Sequence, residues 1–228
     1  MEIIALVSAF NEGKYIAGVT LKAKKYCKEV IVVDDGSGDN TADEAKSSGA
    51  TVLKHSINRG KGAAIVTGLG YLEGKDFDAV VLMDGDAQHD PDDIPVLAGC
   101  MEGNSADIVI GSRMHDPENM PRIRLITNKF MSWLLRKYTG VSLSDTQCGF
   151  RLIRKHVLDN LNLNTDKFEI ESELIIKASA RKFKVLEAPV KTIYGSEKSK
   201  IRPFRDTLRF IKFMLSVKKG QNAEFTGE

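Results

Sequence analysis

Ala79-Val80-Val81-Leu82-Met83-Asp84-Gly85-Asp86-Ala87-Gln88-His89 joins a short apolar run to a cluster of oxygen-bearing side chains. The run from Ala79 to Met83 is bounded by charged neighbours, as a buried strand of a parallel sheet is. Two carboxylates and an amide follow at every second position, an alternation that predicts Asp84, Asp86 and Gln88 on one side of an extended segment. Oxygen donors gathered at a strand's carboxyl end suit a hard divalent cation, Mg²⁺ or Mn²⁺, with coordination sites left for a ligand's phosphates. Gly85 between them predicts room for a substrate against the backbone. Taken alone, Asp-Gly-Asp after an apolar run is more often turn and helix-capping chemistry, so the remainder of the chain has to decide.

Working outward, strands are expected at Ile3–Ala9, Val30–Val33, Thr51–Lys54 and Asp107–Gly111. Helices are expected over Lys14–Cys27, over Thr41–Ser48 and from Asn58-Arg59-Gly60-Lys61-Gly62 to about Leu72. Strand and helix alternate through the first 110 residues, the pattern of a right-handed βαβ sheet. Ligands of such sheets gather outside the strands' carboxyl ends. Glu12, Asp35, Lys61 and the Asp84/Asp86 pair each follow a predicted strand, so one crevice can receive them all. The first strand–helix turn, Ser8-Ala9-Phe10-Asn11-Glu12-Gly13, lacks the glycine fingerprint of a dinucleotide site. Gly60-Lys61-Gly62 is too short for a phosphate-binding P-loop, and no Ser or Thr follows its lysine. Acids rather than a glycine cradle therefore suggest that a metal carries a diphosphate.

The 228 residues, 42% of them hydrophobic, suffice for one full core. A formal charge of +2 gives no field that would gather nucleic acid. Residues 198–219, however, hold eight Lys or Arg against the single acid Asp206. Cys27, Cys100 and Cys148 fit neither a disulfide framework nor a zinc site and point to a reducing cytosol. The N-terminal apolar run stops at Asn11-Glu12 without a basic flank, unlike a signal peptide. No apolar run approaches the ~18 residues needed to span a bilayer.

The set Ser8-Ala9-Phe10-Asn11-Glu12, Val33-Asp34-Asp35-Gly36-Ser37, Asp84-Gly85-Asp86-Ala87-Gln88-His89 and Gly111-Ser112-Arg113 resembles the family 2 glycosyltransferases. Within them the chain is similar to the dolichyl- or polyprenyl-phosphate sugar synthases, through Asp145-Thr146-Gln147-Cys148-Gly149-Phe150-Arg151 and Ser199-Lys200. The resemblance covers residues 1 to about 215. It implies an α/β domain of GT-A fold, a Rossmann-like, mostly parallel sheet flanked by helices. Residues 1–113 would bind the nucleotide sugar, 114–200 the acceptor, 203–217 would form an amphipathic helix and 218–228 a flexible tail.

Carried over position by position, Ser8, Phe10, Glu12, Val33 and Asp35 would line the base and ribose pocket. Asp84 and Gly85 would contact the nucleotide, and Asp86 and Gln88 would ligate the metal on its diphosphate. Arg113 would reach donor sugar and phosphates, and Lys200 matches a lysine used near the donor. Relatives that make dolichyl-phosphate mannose have an arginine where this chain has Tyr194, six residues before Lys200, and Asp145–Phe150 looks closer to the glucosyl-type branch. Sugar and base thus stay open between GDP-mannose and UDP-glucose or UDP-GlcNAc.

A lipid-phosphate acceptor is already an anion and needs no general base, so the work would be electrostatic and a single displacement would invert the anomeric centre. Arg113, Arg122 and Arg124 are candidates to grip its phosphate, although Arg122 and Arg124 lie in a polar stretch where solvated arginines are the norm. Glu171 and Glu173 sit where hydroxyl-using relatives place a base; for a phosphate acceptor they would be structural or hold a cation. His89 reads as a helix-cap residue, a ligand or a group supporting one, and Lys61 as a solvated lysine beside two glycines more often than a phosphate contact. The basic, aromatic helix Pro203–Val217 is expected to meet a membrane surface or pack on the sheet. The stripe Ile126, Phe130, Trp133 and Leu134 is a second membrane candidate, though such stripes are usually core.

These readings make the chain a peripheral protein on a membrane's cytoplasmic face, alone, as a homo-oligomer or beside a membrane-protein partner. Its rivals are a transferase to sugar hydroxyls, a nucleotidyltransferase and a non-catalytic nucleotide-sugar-binding protein.

Overall fold

The computed structural model describes residues 1–114, 120–191, 193 and 209–215. Parallel strands β1 (Ile3–Ala9), β2 (Glu29–Asp34), β3 (Thr51–Lys54) and β4 (Ala79–Asp84) alternate with helices α1 (Ile16–Ala23), α2 (Thr41–Ser47) and α3 (Lys61–Tyr71). α4 (Ile94–Gly103) and β5 (Ile108–Ser112) follow, then the long α5 (Arg122–Thr139). β6 (Arg151–Arg154), α6 (Lys155–Asn160), α7 (Ile170–Ala180) and β7 (Val185–Pro189) complete the numbered elements. The seven strands form one sheet in the order β3-β2-β1-β4-β6-β5-β7.

The expected α/β architecture is present, with α1 shorter at both ends than the periodicity suggested and α3 starting only at Lys61. β1, β2 and β4 are buried along nearly their whole length, which is why their sequences read as continuous apolar runs rather than alternating ones. Gly62 opens α3 where a Cβ would lie 2.1 Å from the Thr165 carbonyl oxygen, and Gly68 faces Leu6 of β1 at 2.2 Å. The Gly60-Lys61-Gly62 glycines therefore admit a neighbouring backbone, with Ala63 N–H donating to the Asp166 carbonyl.

Among the described residues β6 is the one strand antiparallel to its neighbours, inserted between β4 and β5. It joins the two predicted halves of the chain in a single sheet. Arg151, at its start, pairs in register with Leu82 and Ile110 and is 1% exposed. Its guanidinium donates to the carbonyls of Cys148 (2.8 Å), Glu171 (2.5 Å) and Thr146 (2.8 Å), tying the loop before β6 to the start of α7. A buried cation survives only with its donors satisfied, and here backbone carbonyls do it. Arg151→Leu strands three buried carbonyls; it should lower the unfolding free energy by about 3 kcal/mol or more, read by urea denaturation.

Candidate active site

The first strands end level with one another: Ser8 is in register with Asp84, and Ala9 with Asp34. At that edge the Ser8 hydroxyl donates to Asp84 at 3.3 Å. Lys61, from the first turn of α3, places its ammonium 2.6 Å from Asp84 and 2.8 Å from Glu171 of α7. Its side chain is 13% exposed, so the solvated lysine expected from the sequence is instead a buried bridge. The correction has a steric reason: Gly149 lies over the bridge, where a Cβ would come 2.5 Å from the ammonium and 3.0 Å from Glu171 Oε1. Burial alone would raise the Asp84 pKa, but the Lys61 charge and the His89 and Ser8 contacts bring it down to about 2. For Lys61 burial works toward the neutral amine, and the two carboxylates outweigh it and raise its pKa.

Beyond Asp84 the chain leaves the extended state. Ala87 has φ +58°, and Gln88 N–H donates to Asp86 Oδ1 at 3.0 Å, so a tight turn rather than strand alternation sets the directions of Asp86 and Gln88. Gly85 also differs from expectation: a Cβ there would meet Ala9 Cβ at 3.0 Å and Ile16 Cδ1 at 3.2 Å, so its missing side chain admits the core, not a substrate. His89 folds back, its Nδ1 accepting from Asp84 N–H at 3.2 Å while the ring stacks on Phe150 at 5.3 Å. Burial first, then the charges of Lys61 and Arg113, push its pKa down to about 4.

Asp86 and Gln88 supply one carboxylate and one amide oxygen, and no group of three or more acidic, histidine or cysteine side chains among the described residues forms a closed metal cage. A partial, oxygen-only, negatively charged donor set fits a hard divalent cation that takes its other ligands from a diphosphate.

The predicted base and ribose residues line the same edge but carry structural duties. Asp35, 3% exposed, accepts from His55 (2.7 Å), Arg59 N–H (2.9 Å) and Gly60 N–H (2.7 Å), which fixes the loop into α3. Val33 is fully buried in β2, Phe10 is half-buried, and Glu12 is buried with its N–H on Thr41 Oγ1. The acid-rich tail after β2 stitches the mouth together: Asp39 accepts from Gly13 N–H, Ser37 Oγ from Asn11 N–H, and Asn11 Oδ1 from Gly38 N–H.

Arg113, just past β5, is forked onto the buried Asp145 through Nε (2.7 Å) and Nη2 (2.8 Å), and its own N–H donates there too. Asn128 of α5 completes the shell of Asp145. Burial would raise the Asp145 pKa, and the Arg113 fork together with Asn128 lowers it. Sequence reasoning placed Arg113 at the crevice but gave no sign of Asp145 as its partner, which lies 32 residues away. Arg122 and Arg124 belong to the first turn of α5, not to a connecting stretch; Arg122 is exposed and Arg124 half-buried. Glu173 accepts from Asn164 and Thr165 N–H, the Thr165 hydroxyl and Lys177, and these contacts hold its pKa down against burial. Lys200 and Tyr194 lie outside the described residues.

The sequence profile described as Glycosyl transferase family 2 matches residues 4–161. The chain belongs to that family. It is a glycosyltransferase, and within the family it is similar to the polyprenyl-phosphate sugar synthases. A UDP-N-acetylglucosamine–dolichyl-phosphate N-acetylglucosaminyltransferase of Methanococcus voltae is 32% identical, over 84% of this chain and 86% of that protein. Polyprenol monophosphomannose synthase of Mycolicibacterium smegmatis is 28% identical, over 82% of this chain and 76% of its own length. The fold matches Mycobacterium tuberculosis glucosyl-3-phosphoglycerate synthase, solved with Mn²⁺, UDP and glucosyl-3-phosphoglycerate, at a TM-score of 0.73 and 22% identity, covering 94% of this chain and 79% of that one.

The depressed His89 pKa makes this glycosyltransferase acid-sensitive. The unfolded chain takes up a proton near pH 6.5 that the folded chain refuses until about pH 4, so this contribution to stability is whole above pH 6.5 and is lost as pH falls through that window. The loss reaches at most about 3 kcal/mol. His89→Asn, which keeps an acceptor for Asp84 N–H, should flatten the dependence of urea stability between pH 6.5 and 4.

Proposed function

We propose that this chain moves a hexose from a nucleotide-diphosphate sugar to a polyprenyl or dolichyl phosphate at the cytoplasmic face of a membrane, inverting the anomeric centre. The observation that carries the reading is the condition of the two acids placed to serve as a base. Glu171 is engaged by Lys61, and Glu173 is consumed in bracing residues 164–165. An acceptor hydroxyl needs a base to take its proton, whereas a phosphate monoester arrives ionised. A polyprenyl-phosphate acceptor fits that arrangement, and the names of both relatives above point the same way.

Asp86 and Gln88 would hold Mg²⁺ or Mn²⁺. That cation supplies charge stabilisation for the departing nucleoside diphosphate, in keeping with the Mn²⁺ and UDP of the structural neighbour. Ser8, Phe10, Glu12, Val33 and Asp35, with Asp84 and Lys200, would bind the nucleotide sugar. Gly85 would act through its backbone alone. Arg113, its plane fixed by Asp145, would reach the donor sugar and phosphates, and Arg124 of the first turn of α5 would take the acceptor phosphate. Holding two anions together for in-line attack is then the protein's main task.

A turnover assay with Mg²⁺ or Mn²⁺, polyprenyl phosphate and UDP-GlcNAc, UDP-glucose or GDP-mannose, read by mass spectrometry, tests this and names the donor. Asp86→Ala or excess chelator should cut glycolipid formation by about 100-fold or more. Glu173→Gln should retain turnover within about tenfold, where a base-requiring hydroxyl transferase would lose about 100-fold or more. Undiminished turnover in chelator, or a product of retained configuration, contradicts the mechanism.

A further inference from the structure

Helix α5 has two unlike faces. Asn128, Met131, Ser132 and Leu135 turn inward. Outward stand Ile123 (50% exposed), Ile126 (69%), Phe130 (43%) and Trp133 (54%). Their spacing of three and four residues makes one stripe, about 15 Å long. The sequence offered this stripe as a membrane candidate against the commoner fate of core, and the structure leaves Ile126, Phe130 and Trp133 in contact with solvent. The inward positions of the helix are taken by the polar Asn128 and Ser132, which serve Asp145 and Thr146.

Arg122, Lys129, Arg136 and Lys137 flank the stripe, all exposed, and no Asp or Glu occurs from Pro121 to Gly140. The Phe130 and Trp133 rings lie 6.2 Å apart, and the Lys137 ammonium sits 5.5 Å from the Trp133 ring. A contiguous exposed apolar patch marks an interaction surface. We propose that the outer face of α5 seats this glycosyltransferase on an anionic lipid bilayer, with Ile126, Phe130 and Trp133 in the headgroup boundary and the basic residues on lipid phosphates. The inference rests on the lipid-phosphate reading of the site.

Charge selects this occupant. An aromatic and aliphatic stripe flanked only by cations is the composition of an interfacial helix. A second copy of the chain, meeting the same face across a two-fold axis, would bring cations against cations. The C-terminal candidate is weaker in its described part: residues 209–215 turn Phe210 and Met214 into the core, and 203–208 and 216–217 lie outside the described residues. The seat also suits the chemistry. Asn128 on the inner face holds Asp145, which holds Arg113, so the helix on the membrane braces the arginine assigned to the reacting phosphates.

Trp133 is the chain's single tryptophan, so its emission reports this face directly. Vesicles of equimolar phosphatidylglycerol and phosphatidylcholine should shift that emission to shorter wavelength, and lipids brominated in the acyl chain should quench it. Pure phosphatidylcholine should do neither. Ile126→Glu, and separately Phe130→Ser, should weaken vesicle binding by at least about tenfold while leaving thermal unfolding unchanged. Emission that stays water-like at saturating anionic lipid, or vesicle binding undiminished in both variants, overturns the seat. So does a lipid-free dimer that Ile126→Glu dissociates. A short, water-soluble prenyl phosphate separates the two claims: wild type and Ile126→Glu should glycosylate it equally, and its rejection by both refutes the acceptor reading whatever the vesicles show.

Discussion

The ammonium of Lys61, held between Asp84 and Glu171, ties together the elements that shape the site. Asp84 ends β4, Lys61 begins α3 and Glu171 belongs to α7, so one cation ties the sheet edge to two helices. Glu171 is buried while Lys61 and Asp84 keep 13% and 28% of their side-chain surface, so removing one member costs less than the about 3–5 kcal/mol of a fully buried pair. Gly149 is required above it, since any larger residue would press on all three side chains. The oxygen donors Asp86 and Gln88 follow on the turn directly after Asp84.

A second polar assembly gathers around Asp145. Asp145 is buried without exposure, yet it is fully employed by Arg113 and Asn128. Glu187 of β7 in turn accepts from the N–H groups of Ser144 and Asp145, so the loop carrying this carboxylate is fastened to the far edge of the sheet. Arg151 ties the same loop to α7, through the carbonyls of Thr146 and Cys148 on the loop and of Glu171 on the helix. Fully satisfied buried networks of this kind favour one geometry over its neighbours. The guanidinium plane of Arg113 is thereby set before any phosphate arrives, and little reorganisation remains for binding to drive.

The parallel core was legible because buried strands write themselves as apolar runs, and β1 to β5 were located within a residue or two at each end. β6 was not, since Arg151-Leu152-Ile153-Arg154 shows two arginines and no periodicity that would place it in mid-sheet. The exposed side of α5 was left open between membrane and core for the converse reason. An apolar stripe predicts an amphipathic helix but does not say which side faces the protein, and here the polar Asn128 and Ser132 point inward. Lys61 gave no local signal of burial, because its partners lie 23 and 110 positions further along the chain.

The sequence by itself determined the family, the mostly parallel α/β sheet and the acids and arginines that gather at its carboxyl edge. Local residue type and order carry those, because strand burial and turn chemistry act over a few neighbouring positions. Tertiary structure alone decided which charges neutralise one another, which glycines admit a neighbouring chain rather than a ligand, and which face of α5 meets solvent. Those outcomes depend on contacts between residues far apart in the chain, and only folding brings such charges within the few ångströms at which they govern each other's state.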